Sequence, residues 1–187
     1  MCIKERIEMY KIEDTALVLV DVQGKLAEIV YKSEDVIHNI VRLIKGLQCL
    51  DIPVLWLEQY PKGLGPTHPK IKELLVNQEP IAKMSFSCCD SEAFMEALKQ
   101  SGKKQLLLAG IETHICMYQT AVDLNEQDYE VQVVADAASS RTKENHELAL
   151  DRIRDEGVHL TSVEMILFEL LRTAEHEQFK NVSKCIK

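Results

Sequence analysis

The sequence predicts an α/β protein, a three-layer α/β/α sandwich around a doubly wound, mainly parallel sheet of about six strands. Two observations support this prediction. Short, almost continuous apolar runs alternate with longer segments whose apolar residues recur at helical spacing. The apolar runs also lack a regular alternation with polar residues, as expected for strands that helices cover on both faces. Strands joined by helices imply right-handed crossovers and therefore a parallel sheet.

The first part of the chain supplies two strands with a helix between them. Residues 15–21 (TALVLVD) are the first predicted strand, and residues 53–59 (PVLWLEQ) are the second. Apolar residues at helical spacing predict a helix over residues 33–50, with Ser33 as a candidate N-cap. Residues 59–70 contain two glycines and three prolines, which predicts a loop.

The rest of the chain repeats the same alternation. A brief strand followed by a loop is expected within residues 79–88. The helix after it begins at Ser91 and ends at Gly102, two residues typical of helix ends. Strands are then predicted at 105–110, 130–136 and 158–162, and further helices at 116–127, 143–157 and over most of 163–186. Because no linker, repeat or low-complexity tract interrupts the sequence, residues 1–187 are predicted to form a single domain.

Composition and charge argue against several classes of protein. The chain is 46% hydrophobic and 28% charged, which is ordinary for a soluble domain. Its formal net charge of -8 disfavours binding to nucleic acid or to an anionic membrane, since both select Lys and Arg. We see neither the apolar core of a signal peptide nor a run of membrane-spanning length. Six cysteines without a C-x-x-C pair suggest free thiols in a reducing cytoplasm.

Three residues stand at strand ends, where ligands bind in sheets of this kind. Asp21 ends the first strand and is either a turn residue or a base in the ligand crevice. Cys116 follows the strand at 105–110 near a helix start, which favours a thiolate, although a small buried apolar role is the alternative. Lys83 is either a surface lysine or an inward-pointing one that needs an anionic partner.

The order of these residues resembles the isochorismatase-like cysteine hydrolases. The shared pattern is a strand followed by Asp-x-Gln at residues 21–23, a lysine in an apolar-flanked segment, and GIETHIC at residues 110–116. The segments EQYPKGLGPTHP and DAASSR resemble the isochorismatase-domain-containing branch of that family more closely than its other branches. The resemblance runs from about Thr15 to the last helix and implies the Rossmann-like fold of these hydrolases.

The resemblance also implies a reaction and a role for each of the three residues. Cys116 would be the nucleophile, Asp21 the base that accepts its proton, and Lys83 the charge-stabilising partner. A cis peptide bond between Ile111 and Glu112 is implied as well, so that the backbone amides of Glu112 and Cys116 form an oxyanion hole. The implied reaction is hydrolysis of a small amide or related carbonyl compound through a Cys thioester.

Four further residues are candidates for binding the substrate. Gln23 lies two residues after Asp21 and either orients the substrate or faces solvent. Gln59 and Tyr60 follow the second strand into a loop, and Phe86 lies near the lysine.

Other residues near the predicted site keep two interpretations. Trp56 is either a pocket wall or a core aromatic residue. Arg141 would favour a carboxylate-bearing substrate if it faced the crevice, and is otherwise a surface residue at a helix start. The side chains of Glu112 and His114 are given no catalytic role.

We expect no catalytic metal and no other cofactor. The nicotinamidase relatives hold a divalent ion with an Asp and several histidines just after the second strand. Here Glu58 has no histidine two positions later, and His68 stands alone among prolines. This difference disfavours nicotinamide or pyrazinamide as substrate. The presence of Cys116 disfavours true isochorismatase chemistry, a vinyl-ether hydrolysis carried out by relatives without this nucleophile.

Two other functions are compatible with the predicted fold. A binding or scaffold protein would keep the fold and triad without turnover, but all three triad positions remain chemically competent, which favours the enzyme. A flavodoxin-like flavin or nucleotide binder is disfavoured because no G-x-G-x-x-G motif or P-loop follows the first strand.

The resemblance also implies a homo-oligomer, as a dimer, tetramer or larger assembly. The apolar residues of the last helical segment would serve either such a contact or packing on their own sheet: Met165, Ile166, Phe168, Leu170 and Leu171.

Overall fold

The computed structural model describes residues 8–186, within which six strands form one parallel sheet. The strands are β1 (Thr15–Val20), β2 (Val54–Gln59), β3 (Ile81–Lys83), β4 (Gln105–Ile111), β5 (Glu130–Ser139) and β6 (His159–Thr161). The helices are α1 (Gly24–Ile29), α2 (Ser33–Gln48), α3 (Pro61–Leu64), α4 (Pro69–Lys72), α5 (Glu92–Ser101), α6 (Tyr118–Glu126), α7 (Lys143–Asp155), α8 (Val163–Leu171) and α9 (Phe179–Ile186). A π-helical turn, Thr113–Met117, leads into α6, and two 3₁₀ turns cover Ile12–Asp14 and Cys88–Asp90.

The strand order places the end of β1 beside the end of β4. The sheet runs β3-β2-β1-β4-β5-β6, and every neighbouring pair is parallel. The chain therefore winds in one direction through β2 and β3 and in the other through β5 and β6. Val20 is in register with Gly110 at the carboxyl ends of the two central strands. Sheets of this type bind ligands at such a reversal point.

Both faces of the sheet are covered, and β1 shows how its sequence achieves this. All six residues of β1 are buried. Leu17 and Leu19 pack into the core beneath α1, α2, α4, α8 and α9, whereas Ala16, Val18 and Val20 pack into the core beneath α5, α6 and α7. Side chains alternate between the faces of a strand, so a strand covered on both faces is apolar throughout. The predicted three-layer α/β/α sandwich is confirmed.

The helix ends test the local predictions. The hydroxyl of Ser91 accepts a hydrogen bond from the Phe94 N–H, and Gly102 closes α5 in the left-handed conformation, as predicted. The expectation for Ser33 is wrong. Helix α2 begins at Ser33, and Lys32 precedes it in the left-handed conformation as an N-cap without a side-chain hydrogen bond.

The loop predicted at residues 59–70 contains the short helices α3 and α4. Each begins with a proline, Pro61 or Pro69, at its first position. Proline has no N–H to lose there, and its fixed φ suits the first helical turn. Two of the three prolines that predict a loop, Pro61 and Pro69, therefore each start a short helix.

Several other boundaries also differ from the prediction. Strand β5 extends to Ser139, three residues beyond the predicted end. The α-helix expected from Cys116 begins at Tyr118, because the π-helical turn occupies the preceding residues. The last helical segment divides into α8 and α9, with residues 172–178 between them outside helix.

The apolar residues of α8 serve mainly the chain's own core. Ile166, Leu170 and Leu171 are buried against the sheet, whereas Met165 and Phe168 remain exposed on the outer side. Within residues 8–186, none of the helices has the length and apolar character needed to cross a membrane.

Gly110 allows the two central strands to approach closely at the site edge. Its φ is +133°, and a Cβ at this position would lie 2.0 Å from the carbonyl oxygen of Val20. A side chain there would have to displace backbone, which moves less easily than a flexible side chain.

We expect Gly110→Ala to lower the free energy of unfolding by about 3 kcal/mol or more, because it combines an unfavourable φ with a backbone clash. Gly102→Ala is the matched control. Its φ is +67° with nothing within 4 Å of the added Cβ, so the loss should be about 1 kcal/mol. Urea denaturation measures both, and equal losses would contradict the role given to the close approach.

Candidate active site

The structure brings Asp21, Lys83 and Cys116 together at the carboxyl edge of the sheet. Asp21 directly follows β1, Lys83 is the last residue of β3, and Cys116 lies in the π-helical turn after β4. All three are buried, with exposed fractions of 4%, 4% and 7%. The residues are far apart in sequence and meet because the strands that carry them end along the same edge.

The Lys83 ammonium is held by four acceptors. Its Nζ donates hydrogen bonds to Asp21 Oδ2 at 2.6 Å and Gln59 Oε1 at 2.8 Å. It also donates to the carbonyl oxygens of Ser85 at 3.1 Å and Phe86 at 3.2 Å. A buried cation is tolerated when an opposite charge and further hydrogen bonds replace its hydration. The predicted inward orientation of Lys83 is therefore the observed one.

The Asp21 carboxylate lies between the ammonium and the thiol. Its Oδ2 accepts from Lys83, while Oδ1 is buried and meets no hydrogen-bond partner at good geometry among residues 8–186. Burial raises the pKa of Asp21, and Lys83 and the neighbouring Cys116 thiol oppose that rise. Because Oδ2 is engaged by Lys83, Oδ1 is the carboxylate oxygen with capacity to accept the thiol proton.

The Cys116 thiol is protonated in the resting site. Burial, followed by the negative charge of Asp21, raises the pKa of Cys116 to about 12, and Lys83 offsets only part of this rise. The direction is opposite to the one that a helix start alone predicts. Burial disfavours the thiolate and the full charge on the adjacent carboxylate adds to that effect, and together they outweigh the partial charge of a helix end.

The chain turns sharply between β4 and Cys116. The Ile111–Glu112 peptide bond is cis. The Glu112 carbonyl then accepts hydrogen bonds from the N–H groups of Ile115 at 3.1 Å and Met117 at 3.2 Å. The second of these bonds spans five residues, which opens the wider π-helical turn that carries Cys116.

The Glu112 side chain has a partner that sequence reasoning missed. It is 6% exposed, and its Oε1 accepts hydrogen bonds from both the backbone N–H and the Nε of Arg141, each at 3.0 Å. Arg141 is therefore paired with a residue of the protein through its backbone N–H and its Nε, and its contact with a substrate carboxylate stays an expectation. The two residues are 29 positions apart, and their loops meet only because β4 and β5 are neighbours.

The amides predicted to bind substrate contact the protein itself. Gln23 is buried, and its Oε1 accepts from the Gln59 N–H at 2.6 Å, while its Nε2 donates to the carbonyls of Gln59 and Gly65. The Gln59 amide accepts from Lys83 and donates to the Met84 carbonyl at 2.7 Å. Gln23 therefore fixes the backbone at the end of β2, and Gln59 fixes the Lys83 ammonium.

Tyr60 and Phe86 differ from the two glutamines because their side chains are accessible. Tyr60 is 47% exposed and Phe86 is 56% exposed. Their backbones are anchored at the lysine: the Tyr60 N–H donates to the Lys83 carbonyl at 2.9 Å, and the Phe86 carbonyl accepts from Lys83 Nζ. These two remain candidates for contact with substrate.

The polar side chains near the end of β2 form hydrogen bonds with Thr67 in the loop that follows the strand. Glu58 Oε1 accepts hydrogen bonds from the backbone N–H and the hydroxyl of Thr67, each at 2.7 Å. Trp56 is buried in the core and donates from Nε1 to the same hydroxyl. In the described part of the chain no three His, Cys, Asp or Glu side chains cluster in a way that could hold a metal ion. The metal-free site stays a prediction from the sequence.

Comparison with known proteins points to one family. Residues 15–165 match the family model of the isochorismatase domain. The chain is 39% identical over 173 residues to isochorismatase domain-containing protein 2 of Danio rerio, covering 92% of this chain and 86% of that protein.

Two solved structures share the fold over almost the full length. One is described as the MAR1 ribonuclease of Caenorhabditis elegans, with 36% identity, a TM-score of 0.90, and coverage of 96% of this chain and 92% of that one. The other is the YcaC gene product of Escherichia coli, described as an octameric hydrolase of unknown specificity, with 25% identity, a TM-score of 0.92, and coverage of 98% and 91%.

We expect Lys83→Met to lower the free energy of unfolding by about 3–5 kcal/mol at neutral pH, because it leaves the Asp21 carboxylate buried without a counter-charge. The pKa of Asp21 is already raised in the folded protein and should rise further in this variant. The loss should therefore diminish as the pH falls toward 4 and the carboxyl becomes protonated.

The control is the double variant Lys83→Met/Asp21→Asn, in which both charges are absent. Guanidinium denaturation of the wild type, both single variants and the double variant completes a double-mutant cycle. If the two substitutions proved additive, the ion pair would not be the organising contact of the site.

Proposed function

The chain belongs to the isochorismatase family, and from that premise we propose that it is a metal-independent cysteine hydrolase of a small amide or related carbonyl compound. Family membership supports a hydrolase. The observation that carries the finer proposal is the position of the Asp21 carboxylate, bound to Lys83 at 2.6 Å and adjacent to the Cys116 thiol. This arrangement joins a nucleophile, a base and a fixed positive charge in one buried site.

In the first half of the proposed reaction, Asp21 accepts the proton of Cys116 as sulfur attacks the substrate carbonyl carbon. The tetrahedral oxyanion accepts hydrogen bonds from the backbone amides of Glu112 and Cys116. The C–N bond then breaks, the proton held by Asp21 passes to the leaving amine, and the acyl group remains on Cys116 as a thioester. Lys83 offsets the negative charge shared by the thiol and the carboxylate.

The second half of the reaction returns the site to its starting state. Asp21 accepts a proton from a water molecule, whose oxygen attacks the thioester carbonyl. The C–S bond breaks to release the carboxylic acid, and the proton on Asp21 passes back to the Cys116 sulfur. Each half uses the same base and the same oxyanion donors, so no further group is required.

The raised pKa of Cys116 fits this scheme. With Asp21 ionised beside it, the thiol keeps its proton until a carbonyl is present to receive the sulfur electrons. Transfer of the proton is then coupled to attack, and the resting enzyme does not hold a free thiolate that oxidises readily.

A small neutral molecule is the substrate class that we propose. The accessible side chains anchored beside Lys83 are the aromatic Tyr60 and Phe86, and Arg141 is already paired with Glu112. The relative described as a ribonuclease raises RNA as a second candidate. The net charge of -8 disfavours a polyanion, because phosphate binding relies on Lys and Arg.

We also propose a homo-oligomer in a reducing cytoplasm. The E. coli relative is described as octameric, and Met165 and Phe168 leave an apolar patch exposed on α8. The five cysteines in the described residues are all free thiols, the state that a reducing compartment maintains.

The triad is tested by the pH dependence of Cys116 alkylation with iodoacetamide, followed by peptide mass spectrometry. Asp21→Asn should lower the pH midpoint by about one unit or more, since it removes the negative charge that raises the pKa of the thiol. Lys83→Met should raise the midpoint, since it removes the opposing charge. Cys185, distant from these substitutions on α9, is the internal reference.

Turnover is measured alongside as ammonia release from a panel of small primary amides, with RNA as a comparison substrate. Both variants should lose turnover, even though Asp21→Asn makes the thiol easier to ionise. If neither substitution moved the Cys116 midpoint, the coupled triad would be wrong and a binding or scaffold protein would become the better interpretation. Cleavage of RNA that depends on Cys116 would overturn the small-molecule proposal.

Analytical ultracentrifugation tests the oligomer. The wild type should sediment as a dimer or larger species, and Met165→Glu should shift it toward the 21.3 kDa monomer if α8 forms the contact. Glu164→Gln, at the neighbouring position in the first turn of α8, is the control. A wild-type monomer at micromolar concentration would contradict the proposal.

A further inference from the structure

Residues 140–146, which follow β5, are hydrogen-bonded to residues 112, 113 and 114. These three residues begin the nucleophile turn, residues 112–117, which carries Cys116. At the first, the Oε1 of Glu112 accepts from the backbone N–H and the Nε of Arg141, both at 3.0 Å. The carboxylate is buried at 6% exposure, whereas the guanidinium is 56% exposed on its outer side. A buried carboxylate that is neutralised from the surface by one cation depends strongly on that cation.

The next two positions are also connected to this segment, by side-chain hydrogen bonds. Thr113 Oγ1 and His146 Nδ1 lie 2.9 Å apart, and His114 Nδ1 and Ser140 Oγ also lie 2.9 Å apart. Burial lowers the pKa of His146, so its ring is neutral at pH 7. Residues 112–114 are therefore held along their length by residues 140–146, and Cys116 follows two positions later.

The charges facing Cys116 come from three elements. Asp21 follows β1, Lys83 ends β3, and Glu112 opens the nucleophile turn. The Cys88 thiol near these groups is fully buried and stays neutral, because burial raises its pKa well above the usual range. Among these groups, the Glu112 carboxylate forms a salt bridge with Arg141. The electrostatic effect of Glu112 on the thiol therefore depends on Arg141.

We propose that Glu112 and Arg141 are a positioning pair for the nucleophile, in which Arg141 both fixes the turn and screens the Glu112 charge from Cys116. Neither side chain takes part in bond making. The pair acts through the turn, by holding the Glu112 backbone where its amide meets the oxyanion, and through the electrostatic potential at the sulfur. This inference rests on the proposed function, in which Cys116 is the nucleophile.

The proposal requires opposite responses to two substitutions. Glu112→Gln removes the negative charge but keeps an oxygen to accept from Arg141, so the pH midpoint of Cys116 alkylation should fall. Arg141→Met leaves the carboxylate unscreened, so the midpoint should rise. We expect shifts of about half a unit, or roughly threefold in alkylation rate below the midpoint. The Arg141→Met shift should shrink in high salt, since the guanidinium is half-exposed.

Two further variants complete the test. Lys143→Ala removes another exposed cation from the same segment, one that pairs with Glu147, and should leave the midpoint unchanged. The double variant Glu112→Gln/Arg141→Met lacks both charges and should return close to the wild-type midpoint. If Arg141→Met fails to fold, Arg141→Lys and Glu112→Gln carry the comparison, with Arg141→Lys expected between the wild type and an unscreened carboxylate.

The result that overturns this inference is distinct from failure of the triad. Midpoints for Glu112→Gln and Arg141→Met that stay at the wild-type value, or move in the same direction, would reduce the pair to a purely structural contact. That conclusion holds if Asp21→Asn and Lys83→Met still shift the midpoint as expected. If those two variants also have no effect, the proposed function itself has failed.

Discussion

The site is organised by one buried ion pair, between the Lys83 ammonium and the Asp21 carboxylate. It joins the ends of β3 and β1 across the intervening strand β2. Removing both charges from water is costly, and the site meets that cost by surrounding the ammonium with three further acceptors. Those acceptors fix the residues after β3 and the end of β2, and Gln23 in turn fixes the backbone of Gln59.

The second constraint is that two acidic groups, the Asp21 carboxyl and the Cys116 thiol, lie beside a single cation, the Lys83 ammonium. The carboxyl of Asp21 and the thiol of Cys116 both have raised pKa values, and the single ammonium stabilises one negative charge better than two. The resting charge therefore stays on the carboxylate, and the proton stays on sulfur. In the proposed mechanism, the arrangement that keeps the Cys116 thiol protonated also places a proton acceptor beside it, so activation would require the transfer of one proton to Asp21.

The sequence is sufficient to predict the order of strands and helices and the three residues that meet at the sheet edge, but it does not predict their side-chain partners. Apolar runs located the strands, and the order of Asp21, Lys83 and Cys116 along them brought three distant residues to one edge. The proline-rich segment at residues 59–70 predicts a loop but starts two short helices, because proline is also favourable at the first position of a helix. The partners of Glu112 and Gln23 depend on loop paths, which periodicity does not encode. The direction of the Cys116 pKa shift likewise depends on burial by the folded chain and on Asp21, a neighbour 95 positions away in the sequence.

In the proposed enzyme, the anchoring of Tyr60 and Phe86 separates the candidate substrate contacts from the proposed chemistry. Both backbones are fixed by hydrogen bonds to Lys83, yet both side chains are exposed. Exchanging either aromatic ring for another side chain would leave the carbonyl and amide contacts of the lysine in place. Substitutions at these two positions could therefore alter which substrates the proposed site accepts without changing its ion pair. A protein arranged in this way could accept different substrates while it keeps one proposed hydrolytic mechanism.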